Sequence, residues 1–137
     1  MEYPAENTIP TERCWALLRQ GWFGRLGLSV DALPAILPVE YSVAEGDIAV
    51  CLGQYRLNAR SVNESVVAFA ADLVDSETRS GWTVQVQGRA RLPKRAVTTE
   101  CGLHEPGQII YITPQTVVGQ SLRLCPLGTG LPRLRSI

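Results

Sequence analysis

The sequence predicts a mainly β protein, a closed or nearly closed antiparallel barrel of six or seven short strands with one or two short flanking helices. Two observations predict it. Runs that alternate apolar with polar residues recur at near-regular spacing, and turn-forming residues separate them. Helical periodicity is confined to one stretch ahead of the strands and one after the third, too little for the alternating strands and helices of a doubly wound sheet.

The first helix is TERCWALLRQG: Thr11 is placed to cap it, Cys14, Leu17 and Leu18 share one face, and Gly21 stops it. From Trp22 the period changes to two, with Leu26, Leu28 and Val30 alternating with Arg25, Gly27 and Ser29. Asp31 to Pro34 make a turn into AILPVEYSV, so the first two strands form a hairpin. The turn Glu45-Gly46-Asp47 leads to a third strand, IAVCL. Residues 54–64 lose the period of two and carry Arg56 and Arg60 at helical spacing, which predicts a short helix or helical loop. SVVAFAADLV is the fourth strand and WTVQVQGRARL the fifth, with Trp82, Val84 and Val86 on one face. Residues 94–107 read as a connector, and QIIYIT and TVVGQSLRL, on either side of Pro114, supply a sixth and a seventh strand.

Pro38 breaks the pattern of the second strand. A proline has no amide hydrogen to give a ladder, so it belongs at a bulge or on an edge position. Gly88, inside the fifth strand, marks a bend or a close backbone approach.

At 137 residues the chain suits one domain, with residues 1–9 and 126–137 as loose tails. Lys plus Arg and Asp plus Glu number 13 each, so no overall positive field draws the protein to nucleic acid or an anionic membrane. No window approaches a membrane span and the start is acidic rather than signal-like, which predicts a cytoplasmic protein. Cys14, Cys51, Cys101 and Cys125 lie far apart and His104 is the single histidine, so no zinc site of ordinary spacing is predicted. Cys14 and Cys51 read as small buried apolar residues, and His104, with no nucleophile to serve, as a surface residue. A small barrel fills its interior with side chains, so a sizeable ligand must bind on its wall or at an interface. Two guanidinium groups one helical turn apart, Arg56 and Arg60, suit a phosphate as well as they suit a solvated face. Trp82 reads as core packing or as a flat surface for an aromatic ligand or partner. Neither a P-loop nor a G-x-G-x-x-G cradle is present.

Taken in order, GRLGLSVDALPAILPVEYSV, GDIAV, SVVAFAADLVDSETRSGWTVQVQGRA and ITPQTVVGQSL resemble the small pyridoxamine 5'-phosphate oxidase-like flavin-binding proteins, over roughly residues 10–124. The resemblance implies a split β-barrel, a homodimer, and two flavin mononucleotide (FMN) sites at the dimer seam, each built by both chains. Pro38, Val39, Glu40 and Tyr41 stand where that family reads P-V-N-Y along the isoalloxazine ring. Arg56 falls at the position of its phosphate-binding lysine, with Arg60 beside it. Trp82 and Thr83 match its Gly-Trp-Ser element, which lies near the ring of the partner's site.

Four departures accompany the match: Cys51, Leu52 and Gly53 replace a third-strand Thr or Ser, Gln54-Tyr55-Arg56 shortens the phosphate loop, Glu40 replaces Asn, and Gln120 replaces an Arg. The resemblance therefore implies an FMN-dependent oxidoreductase acting on a small molecule, with no side chain assigned as catalytic acid or base. The alternatives are a cofactor-free dimeric binding module with a degenerate site and a member that holds the deazaflavin F420.

Overall fold

The computed structural model describes residues 5–53, 55, 59–93, 98–100 and 106–125. Among them a 3-10 turn at Ala5–Asn7 precedes β1 (Thr8–Ile9), α1 (Thr11–Gln20), β2 (Phe23–Val30), β3 (Leu33–Ala44) and β4 (Asp47–Cys51). Then come α2 (Ala59–Val62), β5 (Val66–Val74), β6 (Ser80–Arg91), β7 (Thr98–Glu100) and β8 (Pro106–Arg123). Every pairing is antiparallel, and the ring β8-β4-β3-β2-β5-β6 closes because β6 pairs back to β8. The predicted barrel is therefore present, with β1 and β7 as short additions along β8.

The period of two decides what fills it. Leu26 and Leu28 of β2, Val39 and Tyr41 of β3, Ile48 and Val50 of β4, Val67 and Phe69 of β5, Val84 and Val86 of β6, and Ile110 and Ile112 of β8 all point inward and are buried. Each such side chain contributes roughly 1.5–3 kcal/mol by leaving water. The helix α1 touches β3, β6 and β8, strands spread around the ring, so it lies across one mouth of the barrel and buries Cys14, Leu17 and Leu18 there. Tyr41 fastens it, donating its buried hydroxyl to the Leu18 carbonyl at 2.7 Å.

Several boundaries differ from the sequence reading. Thr11 is the first helical residue and not the cap: Pro10 holds that position, its carbonyl accepts the Cys14 amide at 3.0 Å, and no side chain caps the helix. The first hairpin turns on Asp31 and Ala32 alone, both at positive φ (50° and 65°), and Pro34 already belongs to β3. That tight turn matches the right-handed twist of the two strands it joins. The two strands expected around Pro114 are one strand, β8. Gln87 faces Thr116 and Gly88 faces Pro114, so Gln115 is an extra residue in a bulge that lets the strand run past its proline. The connector 94–107 contains β7, paired to the start of β8. Residues Thr8 and Ile9, expected in a loose tail, are tied to Gln120 and Gly119. Of the predicted helix over 54–64, helical structure covers Ala59–Val62. The tail 126–137 and His104 lie outside the described residues.

Candidate site on the outer wall

In a strand, a residue's N–H and C=O point to the same side, and that side alternates. Tyr41 directs its amide to the Trp22 carbonyl at 2.9 Å, so the odd-numbered residues of β3 bond toward β2 and the even-numbered ones away from it. On that far side, β4 pairs only with Glu40–Ala44. Among the described residues Pro38 thus occupies an edge position, one of the two placements its sequence allowed, and sacrifices no bond to β2. Its carbonyl accepts the Tyr55 hydroxyl at 2.6 Å, so the chain leaving β4 is latched onto this point of β3.

The same alternation sorts the sequence-predicted residues. Pro38 and Glu40 face outward and are exposed, while Val39 and Tyr41 face the core and are buried. Trp82 shares the inner side with Val84 and Val86 and packs, partly buried, against the core near the start of β6. Thr83 faces outward and is half-exposed. Arg60 lies in α2, and Arg56 lies outside the described residues. Glu40 is paired in register with Phe23 of β2, and Thr83 with Asp72 of β5. Glu40 and Thr83 therefore stand three strand spacings apart on the wall, roughly 14 Å. One chain does not bring them together.

Between them runs a floor that residue-by-residue reading passed over. The outward positions of β2 and β5 include Gly27, Ala68 and Ala70, with Gly27 facing Ala68 and Arg25 facing Ala70 across the ladder. Ile36 and Pro38 border this floor on β3, and Gln85 and Gln87 border it on β6. A shallow groove of about 450 Å³ opens there, lined by Gly27, Ser29, Pro34, Ile36, Ala68 and Gln87, among others. The Thr116 hydroxyl bonds the Gln87 side-chain carbonyl at 3.1 Å beside it. The signal was legible: outward strand positions that read Gly and Ala, where a solvated wall would read Lys, Glu or Thr.

The electrostatics of the wall are modest. Arg25 meets Asp72 at 3.4 Å with both side chains exposed, a pair worth at most about 1 kcal/mol. Glu40, paired with Phe23, stands diagonal to Arg25 on the opposite side of β2 from Asp72. Cysteine chemistry is not part of this site. Burial pushes the Cys14 thiol up, against a smaller opposite effect of its bond to backbone, and leaves it a poor nucleophile. Cys51 corrects the sequence reading: it is half-exposed at the end of β4 and disulfide-bonded, where a small buried apolar residue was expected. Among the described residues no group of His, Cys, Asp and Glu is placed to hold a metal ion, and no helix is long and apolar enough to cross a membrane.

A family model described as Pyridoxamine 5'-phosphate oxidase matches residues 10–100. An uncharacterized protein of Mycobacterium tuberculosis is 40% identical over 75 residues, which are 49% of this chain and 47% of that protein, so the match spans about half the relative's length. Among solved structures, an FAD-binding protein from Mycobacterium smegmatis superposes with a TM-score of 0.64 at 25% identity, covering 85% of this chain and 97% of the other. An FAD-binding protein from Mesorhizobium loti gives 0.64 at 18% identity, covering 83% and 94%.

Proposed function

Because the chain belongs to the pyridoxamine 5'-phosphate oxidase family, we propose that it binds a flavin, FMN, at the seam of a homodimer and serves as an oxidoreductase on a small molecule. The observation that carries this reading is the floor of short side chains, Gly27, Ala68 and Ala70, flanked by Pro38 on one side and by the side chains of Gln85 and Gln87 on the other. A planar ring system needs such a surface: short side chains beneath its face and hydrogen-bonding groups at its border. The residues present fit the group in this respect.

In this reading the Glu40 carboxylate accepts the N3–H of the ring's pyrimidine edge, and the Tyr55 latch on the Pro38 carbonyl holds the edge of β3 in place beneath it. Arg56 and Arg60 neutralise the phosphate. The strand bearing Trp82 and Thr83 comes from the second copy, which accounts for the roughly 14 Å that separates Glu40 from Thr83 within one chain. Bound flavin supplies the hydride or electron chemistry, while the protein binds, orients and excludes water.

A spectroscopic titration tests it. Purified protein is expected to bind FMN saturably with the quenched fluorescence of an enclosed flavin, and Arg56→Ala to weaken that binding about tenfold or more, the worth of one charge-assisted bond. Protein that is colourless and binds neither FMN nor FAD refutes the proposal. One observation favours a second reading, a cofactor-free binding module: Glu40 and Asp72 put two carboxylates on the wall where a phosphorylated ligand would approach. The same titration separates the two, and competition among FMN, FAD and F420 identifies the cofactor.

A further inference from the structure

We propose that the outer edge of β3 is a strand-docking surface held shut by two prolines, and that Pro34 and Pro38 together keep a second copy of this chain from adding to the barrel edge to edge. Beyond the reach of β4, the segment Leu33–Val39 has β2 as its one neighbouring strand among the described residues. Its side chains are those of an aggregation-prone strand: Leu33 is 70% exposed and Ile36 72%, within the run LPAILPV. A long, apolar, exposed edge of this kind invites pairing unless something blocks it.

The phase of the prolines is what blocks it. Even-numbered residues of β3 direct their backbone groups away from β2, so an incoming strand would meet residues 34, 36 and 38. Two of those three amides do not exist, because positions 34 and 38 are proline. The Pro38 carbonyl is already engaged by the Tyr55 hydroxyl. Of the three donors that a full ladder would use, only the Ile36 amide is left. Prolines at 35 or 37 would instead have cut the hairpin's own ladder to β2. In register, Pro34 faces Ser29 and Pro38 faces Arg25, both positions where the hairpin needs no amide from β3. The inference concerns the backbone edge of β3 and not the floor that Ile36 and Pro38 border with their side chains, so a face-to-face dimer leaves its logic unchanged.

The test compares the wild type, P34A/P38A and P34A/P38A/I36P by sedimentation velocity over a wide concentration range, with far-UV circular dichroism as the check on folding. Each restored amide strengthens pairing about fivefold. An edge-to-edge pair about a two-fold axis counts both amides twice, so P34A/P38A should form species larger than the wild type's own at concentrations lower by a factor of about 600. Moving a proline into position 36 removes the remaining donor of the same phase and should reverse most of that shift. A folded P34A/P38A that keeps the wild-type distribution at every concentration overturns the proposal, as does a triple variant that associates as strongly as the double. Should the double variant lose its circular dichroism signature, P34A alone is read in its place. It must show the same direction of change, and a folded P34A with the wild-type distribution overturns the proposal equally.

Discussion

Removing one oxygen atom, in Tyr41→Phe, tests how α1 is held over the barrel mouth. The aromatic ring stays in its edge-to-face contact with Phe69, centroids 4.8 Å apart, so packing is conserved and only the bond to Leu18 is lost. The Leu18 carbonyl is not orphaned by the change, because it also accepts the Gly21 amide at 3.2 Å. The loss is therefore one net hydrogen bond, about 1 kcal/mol, without the added penalty of a stranded acceptor. For a chain of 137 residues that corresponds to a fall in Tm of about 3–4 °C. The pH dependence follows from the same burial, which pushes the Tyr41 phenol above its ordinary value. A raised pKa means that the unfolded state ionises first: Tyr41's contribution is complete below pH of about 10 and is lost as the pH climbs through the folded value. Urea unfolding of both proteins from neutral pH to about 11 should show the wild type's advantage constant at first and shrinking above about 10. A loss beyond about 2 kcal/mol at neutral pH, no loss at all, or an advantage that grows in alkali would refute this account of Tyr41.

Three other substitutions test backbone features. A side chain on Gly88 would collide with the backbone carbonyl of Thr113 across the bulge, so Gly88→Ala should lower stability by about 3 kcal/mol in urea unfolding, whereas Gly27→Ala, whose new methyl finds only Ala68 atoms at 3.6 and 3.7 Å, should change it by no more than about 0.5 kcal/mol. Ala32 is held at φ 65° in the hairpin turn, where an L side chain is strained; Ala32→Gly should raise Tm by about 2 °C, the relief of that strain less the extra entropy of a glycine in the unfolded chain.

The fold was legible wherever alternation ran long enough to set a face. Leu26 and Leu28, Val84 and Val86, and Ile110 and Ile112 all proved inward, and Pro38 proved to lie on an edge. What failed did so for local reasons. Two residues cannot display a period, so β1 passed unseen, and β7 sat within a stretch of mixed charge. Pro114 looked like a terminator because a bulge is a property of two paired strands, and the extra residue, Gln115, shows only when Gln87 and Gly88 are aligned with it. The site was harder to read than the core. A four-residue motif over 38–41 is half inside and half outside once it becomes a strand, and the floor of Gly27, Ala68 and Ala70 is assembled from segments some 40 residues apart.

The double duty of β8 governs when this molecule can become a protein at all. Among the described residues it closes the ring, pairing with β4 on one side and β6 on the other, and it is the last strand in chain order. Until it emerges from the ribosome, β2 to β6 form at best an open sheet whose β4 and β6 margins both await a partner, and α1 has no complete mouth to cover. Closure is a long-range event that sets in late during synthesis, and the interval before it is when the nascent chain is most exposed to wrong pairing. Nascent chains stalled with β8 still inside the ribosome should therefore leave Leu17, Leu18 and Phe69 open to the solvent, and chains stalled far enough on to expose the whole of β8 should hide all three at once.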